Sequence, residues 1–224
     1  MKLYFSPLAC SLAPRIALYE AGAEVSYVEV DLKTKRTEDG ADYRAIHPLA
    51  LVPALELPGG ELVTENAAIL QLIADRSPEA GLAPRDALGR ARIQEWLSFV
   101  GTELHKALYS PLLSAEAPAE MKAYVLTKAG SRLGRVADRL EGREFLLDRF
   151  SVADAYLVTV LNWSQVTPID LAAWPAITAY QARLQGRPSV ARAMAEERER
   201  YVRALKRREE PAAAPAAPAP SAGR

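Results

Sequence analysis

The chain has 224 residues and no formal net charge, with 28 Lys plus Arg set against 28 Asp plus Glu; half its residues are apolar and a quarter charged. That balance excludes a disordered chain, a collagen-like repeat and a protein steered by its overall field onto nucleic acid or anionic lipid. The single cysteine, Cys10, cannot close an internal disulfide, and neither a leader pattern nor an apolar run of ~20 residues is visible, so a cytoplasmic protein with no nucleic-acid or membrane partner is expected.

Residues 2–5 read as a short strand, 12–21 as a helix ending at Gly22, and 26–32 as an alternating strand, which together make a β-α-β unit. Residues 54–57 and 61–64 flank Pro58-Gly59-Gly60 as a hairpin, and 65–76 carries Ala68, Ile69, Leu72 and Ile73 on one helical face. A β-β-α unit follows, and the two units predict a small mixed sheet covered by helices over residues 1–77. Residues 78–86, rich in Pro and Gly, read as a linker. Beyond it the strand pattern stops. Ile93, Trp96, Leu97, Val100, Leu104 and Leu108 step by three or four, marking a long amphipathic helix, and residues 121–140 give a second. Ser151-Val152-Ala153-Asp154 is a capping box that opens another apolar helix, and 174–185 and 189–207 complete an all-helical domain over 87–208. Residues 209–224 read as a flexible tail, since the last fourteen hold seven alanines and four prolines without a periodic apolar face.

Cys10 falls between the first strand and the first helix, where unpaired N–H groups lower a thiol pKa or stabilise a neighbouring thiolate; a lone cysteine is equally a small buried hydrophobe. Ser11 supplies a hydroxyl donor or an N-cap at the same place, and Tyr4 either aims a phenol there or belongs to the core. A strand beginning at Pro53 would present the N–H and C=O of Val52 as an edge for an extended peptide, and such an X-Pro bond can be cis. Glu65 suits an amine, while the Asn66 N–H at a helix start suits a carboxylate, so the pair describes a receptor for a zwitterion. Helix capping explains either residue taken alone.

Cys10-Ser11 after Lys2-Leu3-Tyr4, the run Asp31-Leu32-Lys33-Thr34-Lys35, then Val52-Pro53, Thr64-Glu65-Asn66-Ala67-Ala68-Ile69, His105-Lys106 and Ser151-Val152-Ala153-Asp154 occur in this order over about 205 residues. This set resembles the cytosolic glutathione transferases, with the bacterial beta class as the nearest likeness. The resemblance implies an α/β thioredoxin-like N-terminal domain that binds glutathione, an all-helical C-terminal domain, a homodimer, and no metal or cofactor beyond glutathione as co-substrate. It implies Val52 as backbone partner of the cysteinyl part beside Leu51, Pro53 as the cis-proline, and Glu65 with Asn66 as the clamp on the γ-glutamyl end. Lys35 would meet the glycyl carboxylate, and Cys10 and Ser11 would face the sulfur. His105 and Lys106 would line the interdomain cleft, Ser98 would lie near glutathione, and Glu103 would act across the dimer interface. The expected pocket wall is Leu8, Leu108, Tyr109, Leu112 and Trp163.

Four positions depart from the pattern: Ala50 stands where glycine is usual, Asn66 where Ser or Gly is common, Ser98 where the beta class carries Asn, and Phe5 where tyrosine is frequent. The implied reaction is conjugation of the glutathione thiolate to small apolar electrophiles, with Cys10, Ser11 and His105 as the catalytic set. The alternatives are thiol-disulfide exchange or peroxide reduction through Cys10, and a non-enzymatic interaction module with the same fold.

Overall fold

Alternation along Lys2–Phe5 (β1) sends Leu3 and Phe5 to one face of a sheet and Tyr4 to the other, where it packs with Val30, Tyr43 and Ala54. The structure is a computed structural model that describes residues 1–209, so the expected tail lies, from residue 210 onward, outside the described residues. Helix α1 (Leu12–Glu20) crosses to β2 (Ser26–Asp31), parallel to β1; a two-residue strand β3 (Arg36–Thr37) then pairs antiparallel with β2. The sequence pattern does not show β3, because two residues are too few to alternate. The hairpin β4 (Ala54–Glu56) and β5 (Leu62–Thr64) completes the order β3-β2-β1-β4-β5, and α2 (Asn66–Arg76) follows it.

Two expectations are corrected here. Pro53 does not open an edge strand: β4 lies between β1 and β5, and Pro53 precedes its first register partner, Tyr4↔Ala54, so it withholds no ladder donor. The Tyr4 phenol does not turn toward Cys10 but donates to Glu56 Oε2 at 2.8 Å.

The remaining chain is helical. Helix α3 (Ala87–Phe99) continues without a break through a π-helical stretch, Val100–Tyr109, into α4 (Ser110–Leu113). Then come α5 (Ala119–Leu140), α6 (Val152–Leu161), α7 (Pro175–Gln185) and α8 (Pro188–Glu209). Every residue of α6 is buried. Helix α1 packs its own buried face against α6, so one apolar cluster runs from Leu3 and Phe5 through Ile16 and Leu157 to Tyr180. The sheet and the helices share a core.

The capping box at α6 centres on Asp154, which is fully buried and accepts four hydrogen bonds. They come from Ser151 N–H (2.9 Å), Ser151 Oγ (2.7 Å), Leu146 N–H (2.9 Å) and Tyr180 Oη (3.0 Å). Removing the carboxylate strands four donors in a dry core, each costing about 1–3 kcal/mol. Asp154→Ala is therefore expected to lose at least about 3 kcal/mol of stability, allowing for partial relaxation. Urea unfolding monitored by circular dichroism checks this, and a midpoint equal to the parent's would contradict it.

Candidate active site

The loop between β1 and α1 is fixed from the helical side. Leu8 adopts a left-handed φ of 59°, its N–H donates to Glu197 Oε2 at 2.7 Å, and its carbonyl accepts from Trp163 Nε1 at 2.9 Å. Two residues on, Cys10 is half-buried and donates from Sγ to the Val52 carbonyl at 3.2 Å. Val52–Pro53 is a cis peptide bond, as the sequence allows.

The thiol does not behave as its place in the sequence suggests. Burial pushes the Cys10 thiol up to about 11, against a smaller opposing pull from the Lys106 charge. The helix start gives little help because Leu12 N–H already bonds the Ala9 carbonyl and Ala13 N–H the Cys10 carbonyl. Ser11 is corrected too. It is fully buried, its hydroxyl accepts from Ser6 N–H at 3.1 Å and donates to the Ser6 carbonyl at 3.2 Å, and it neither caps α1 nor reaches the cleft.

The cleft that Cys10 faces has a volume of about 1130 Å³. Its sheet-side wall includes Leu51, Val52, Pro53, Glu65 and Asn66. Glu65 is exposed with φ 68° and ψ 125°, a conformation that costs a non-glycine residue about 1–3 kcal/mol and that clusters at functional sites. Buried Asn66 donates from Nδ2 to the Cys10 carbonyl at 3.1 Å; its Oδ1 is buried with no partner among the described residues. Lys35 does not line the cleft, and its Nζ donates to the Ala50 carbonyl at 3.4 Å.

The opposite wall is the α3, π-helical and α4 run, which presents Gln94, Ser98, Thr102, Lys106, Ser110 and Ser114 to the cleft at strict four-residue spacing. An α-helix, at about 3.6 residues per turn, would wind such a stripe steadily out of the cleft. The wider i→i+5 winding of the π stretch turns it back, and one polar face follows the cleft throughout. His105 lies beside this stripe. Its Nδ1 is 2.7 Å from Tyr156 Oη, and its ring stands edge-on to Trp163 with centroids 4.9 Å apart. Burial, with the Lys106 charge, pushes its imidazole down to about 4. Glu103 is not in the cleft wall; it pairs with Arg132 at 2.8 Å.

Of the expected apolar wall, Leu8 and Trp163 line the cleft, while Leu108, Tyr109 and Leu112 are buried behind it. Sequence reasoning missed Tyr156, Arg198 and Tyr201 as cleft residues. The one available signal for Tyr156 was a phenol inside a mostly apolar helix, which needs a buried partner. Among the described residues no group of three or more His, Cys, Asp or Glu is placed to hold a metal ion, and no helix is long and apolar enough to cross a membrane.

A mixed sheet carrying a cysteine at its first helix beside a cis-proline, faced across a cleft by a helical second half, defines a thioredoxin-like, thiol-handling protein. The chain belongs to the glutathione S-transferase family: residues 1–75 match the family model "Glutathione S-transferase, N-terminal domain" and residues 96–188 match "Glutathione S-transferase, C-terminal domain". It is 41% identical over 199 residues to glutathione S-transferase GstA of Escherichia coli O157:H7, spanning 88% of this chain and 98% of that protein. A sphingomonad glutathione S-transferase complexed with glutathione superposes with a TM-score of 0.84 at 45% identity, over 88% of this chain and 98% of that one. The bacterial beta class enzyme of Sphingomonas chungbukensis gives a TM-score of 0.84 at 46% identity over the same shares. The expected family, the beta-class likeness, and the thioredoxin-like domain followed by helices are thus met.

The high thiol pKa sets a pH test, made simple by the single cysteine. Alkylation of Cys10 by iodoacetamide is expected to speed up roughly tenfold per pH unit above neutrality, because the thiolate fraction grows by that factor until the thiol's own pKa is reached. It levels off only near pH 11. A plateau near neutrality, in stopped-time mass spectrometry, would contradict the burial argument.

Proposed function

We propose that the protein conjugates the glutathione thiolate to small apolar electrophiles in the cleft between its sheet and its helical wall. The observation that carries this reading is convergence: the cis Val52–Pro53 loop, strained Glu65, Asn66 and Cys10 all open onto one cavity with an apolar flank of Leu8, Trp163, Leu113 and Val166. A tripeptide lies extended along Val52, which stands just outside the β1–β4 ladder, with Leu51 beside it. The Glu65 carboxylate takes the γ-glutamyl amine and the Asn66 N–H its carboxylate, while Lys35, held near Ala50, reaches the glycyl carboxylate. Ser98 and Lys106 approach from the opposite wall. In a homodimer Glu103, whose side chain is partly exposed beside Arg132, would reach toward the partner's glutathione. The chain itself works in the cytoplasm.

In this reaction a sulfur lone pair forms the new C–S bond, the bond to the leaving group breaks with its electron pair, and the thiol proton passes to water at the cleft mouth. The charge of Lys106, which already pulls the neighbouring Cys10 thiol downward, favours the thiolate. Cys10 enters as a protonated thiol that donates to the Val52 carbonyl rather than as a nucleophile, because a thiol pushed up to about 11 is almost entirely protonated near neutrality. That favours conjugation over thiol exchange, in which the Cys10 thiolate would attack a glutathione disulfide and release glutathione.

Two variants test this reading, the first of them separating the two chemistries. Cys10→Ala is expected to keep conjugation of a model aryl halide within about tenfold of the parent, since one hydrogen bond of about 0.5–1.5 kcal/mol is lost. Abolished conjugation together with abolished disulfide reduction would sink this account. Glu65→Ala is expected to raise the KM for glutathione by about tenfold or more through the lost charge-assisted contact. Unchanged binding to immobilised glutathione would remove Glu65 from the site.

A further inference from the structure

On the π-helical wall His105, which the resemblance makes catalytic, meets a phenol that the reaction above leaves without a task. Tyr156 is the only phenol on α6, is buried, and is among the residues that line the cleft. Its hydroxyl sits 2.7 Å from Nδ1 of His105, which is also buried and lines the same cleft. We propose that Tyr156 is a positioning residue: it donates its phenol proton to Nδ1 of His105 and so holds the imidazole as the Nε2–H tautomer, a hydrogen-bond donor to the sulfur of bound glutathione. This inference rests on the conjugation reading for its ligand, but not for the tautomer itself.

Two observations set the direction of the bond. A phenol is a far better proton donor than a neutral imidazole N–H, and an imidazole lone pair is a good acceptor, so a buried contact of 2.7 Å between them runs from oxygen to nitrogen. The phenol therefore gives its proton to His105. Lastly, the other ring packed on His105 cannot compete, because the Trp163 N–H is already spent on the Leu8 carbonyl.

With Nδ1 occupied, Nε2 is the one ring nitrogen open to a ligand, and the tautomer makes it a donor. Cys10 and His105 line the same cavity, so a sulfur bound at the cysteine end is the group this Nε2–H would meet. His105 stays neutral near pH 7, so it can stabilise a thiolate without taking the thiol proton.

The protein has two histidines, His47 and His105, so ¹⁵N NMR of the imidazoles reads the tautomer directly, with His47→Gln used to assign the signals. The ligand-free parent is expected to show His105 predominantly as Nε2–H, and Tyr156→Phe to lose that predominance. In Tyr156→Phe the pKa of bound glutathione, followed by thiolate ultraviolet absorbance, is expected to rise by about one unit, with kcat falling about tenfold and the KM for glutathione changing less. Should Tyr156→Phe fail to fold, His105→Gln, which carries an N–H near the Nε2 position, is expected to retain about tenfold more turnover than His105→Asn, which mimics Nδ1. An Nδ1–H tautomer in the parent, or a tautomer unchanged in Tyr156→Phe, overturns the proposal. An Nε2–H tautomer in a protein that conjugates no aryl halide upholds the positioning role and overturns the conjugation reading instead.

Discussion

The site depends on how one backbone unit is held. Leu8 stands in a left-handed conformation that a bulky residue adopts only under constraint, and both its polar groups are tied to the helical half: N–H to Glu197 on α8, C=O to Trp163 just after α6. Glu197 is in turn fixed beside Arg15 of α1, 3.5 Å away, and Arg15 also pairs with Glu196 at 2.6 Å and lies over the rings of Phe5 and Tyr27. Strand β1, helix α1 and helix α8 therefore grip the loop from three sides. The thiol two residues further on inherits its position from the helical half, which is why this cleft cannot be a property of the sheet alone.

Strain elsewhere follows the same logic. Among the described residues four non-glycine positions have positive φ: Leu8, Lys35, Ala50 and Glu65. Leu8 and Glu65 line the cleft, and Lys35 bonds the Ala50 carbonyl at its margin. Ala50 stands where glycine would be relaxed, yet its methyl is buried against the Tyr4 and Tyr43 cluster. A left-handed alanine costs about 1–2 kcal/mol, and burying a methyl returns about 0.8 kcal/mol, so the loop keeps its shape at small net expense. Glu65 has no such packing. Its strain holds a carboxylate at the start of α2 without capping that helix, which leaves the side chain free to meet a ligand.

What the sequence discloses is what local chemistry controls. Alternation places β1 and β2, Pro58-Gly59-Gly60 places the hairpin, and Ser151 with Asp154 marks the start of α6. Family resemblance adds the positions of Val52, Pro53, Glu65, Asn66, His105 and Lys106, all of which the fold brings to one cleft. The failures are non-local. Ser11 reads as a donor at a helix start, but its hydroxyl closes onto Ser6, and no pattern in the sequence announces that ring. The Cys10 thiol looks activated by its place before a helix, whereas burial, a property of the whole assembly, outweighs the helix start. Glu103 is a different case: its expected role lies across a dimer interface, and within one chain it pairs with Arg132 on α5. The Gln94-to-Ser114 stripe was present in the sequence, but a four-residue period becomes informative only once the helix is known to change its winding.

That change of winding connects the wall to the chemistry. A regular α-helix from Ala87 to Leu113 could present Ser98 or Ser114 to the cleft, but not both along one line. The π stretch reconciles them and, within the same ten residues, carries His105 inward to Tyr156 while leaving Lys106 exposed. Neighbouring residues thereby acquire opposite characters: a buried neutral ring and an open cation. A buried ring can offer a directed N–H but not a charge, and an exposed ammonium can offer a charge but little direction. A thiolate needs both, and the nearby cysteine, protonated by its own burial, competes with neither. Burial disarms Cys10 as a nucleophile and would raise the pKa of an incoming thiol as well, so a thiolate brought in from outside depends on the opposing Lys106 charge and on directed N–H donors.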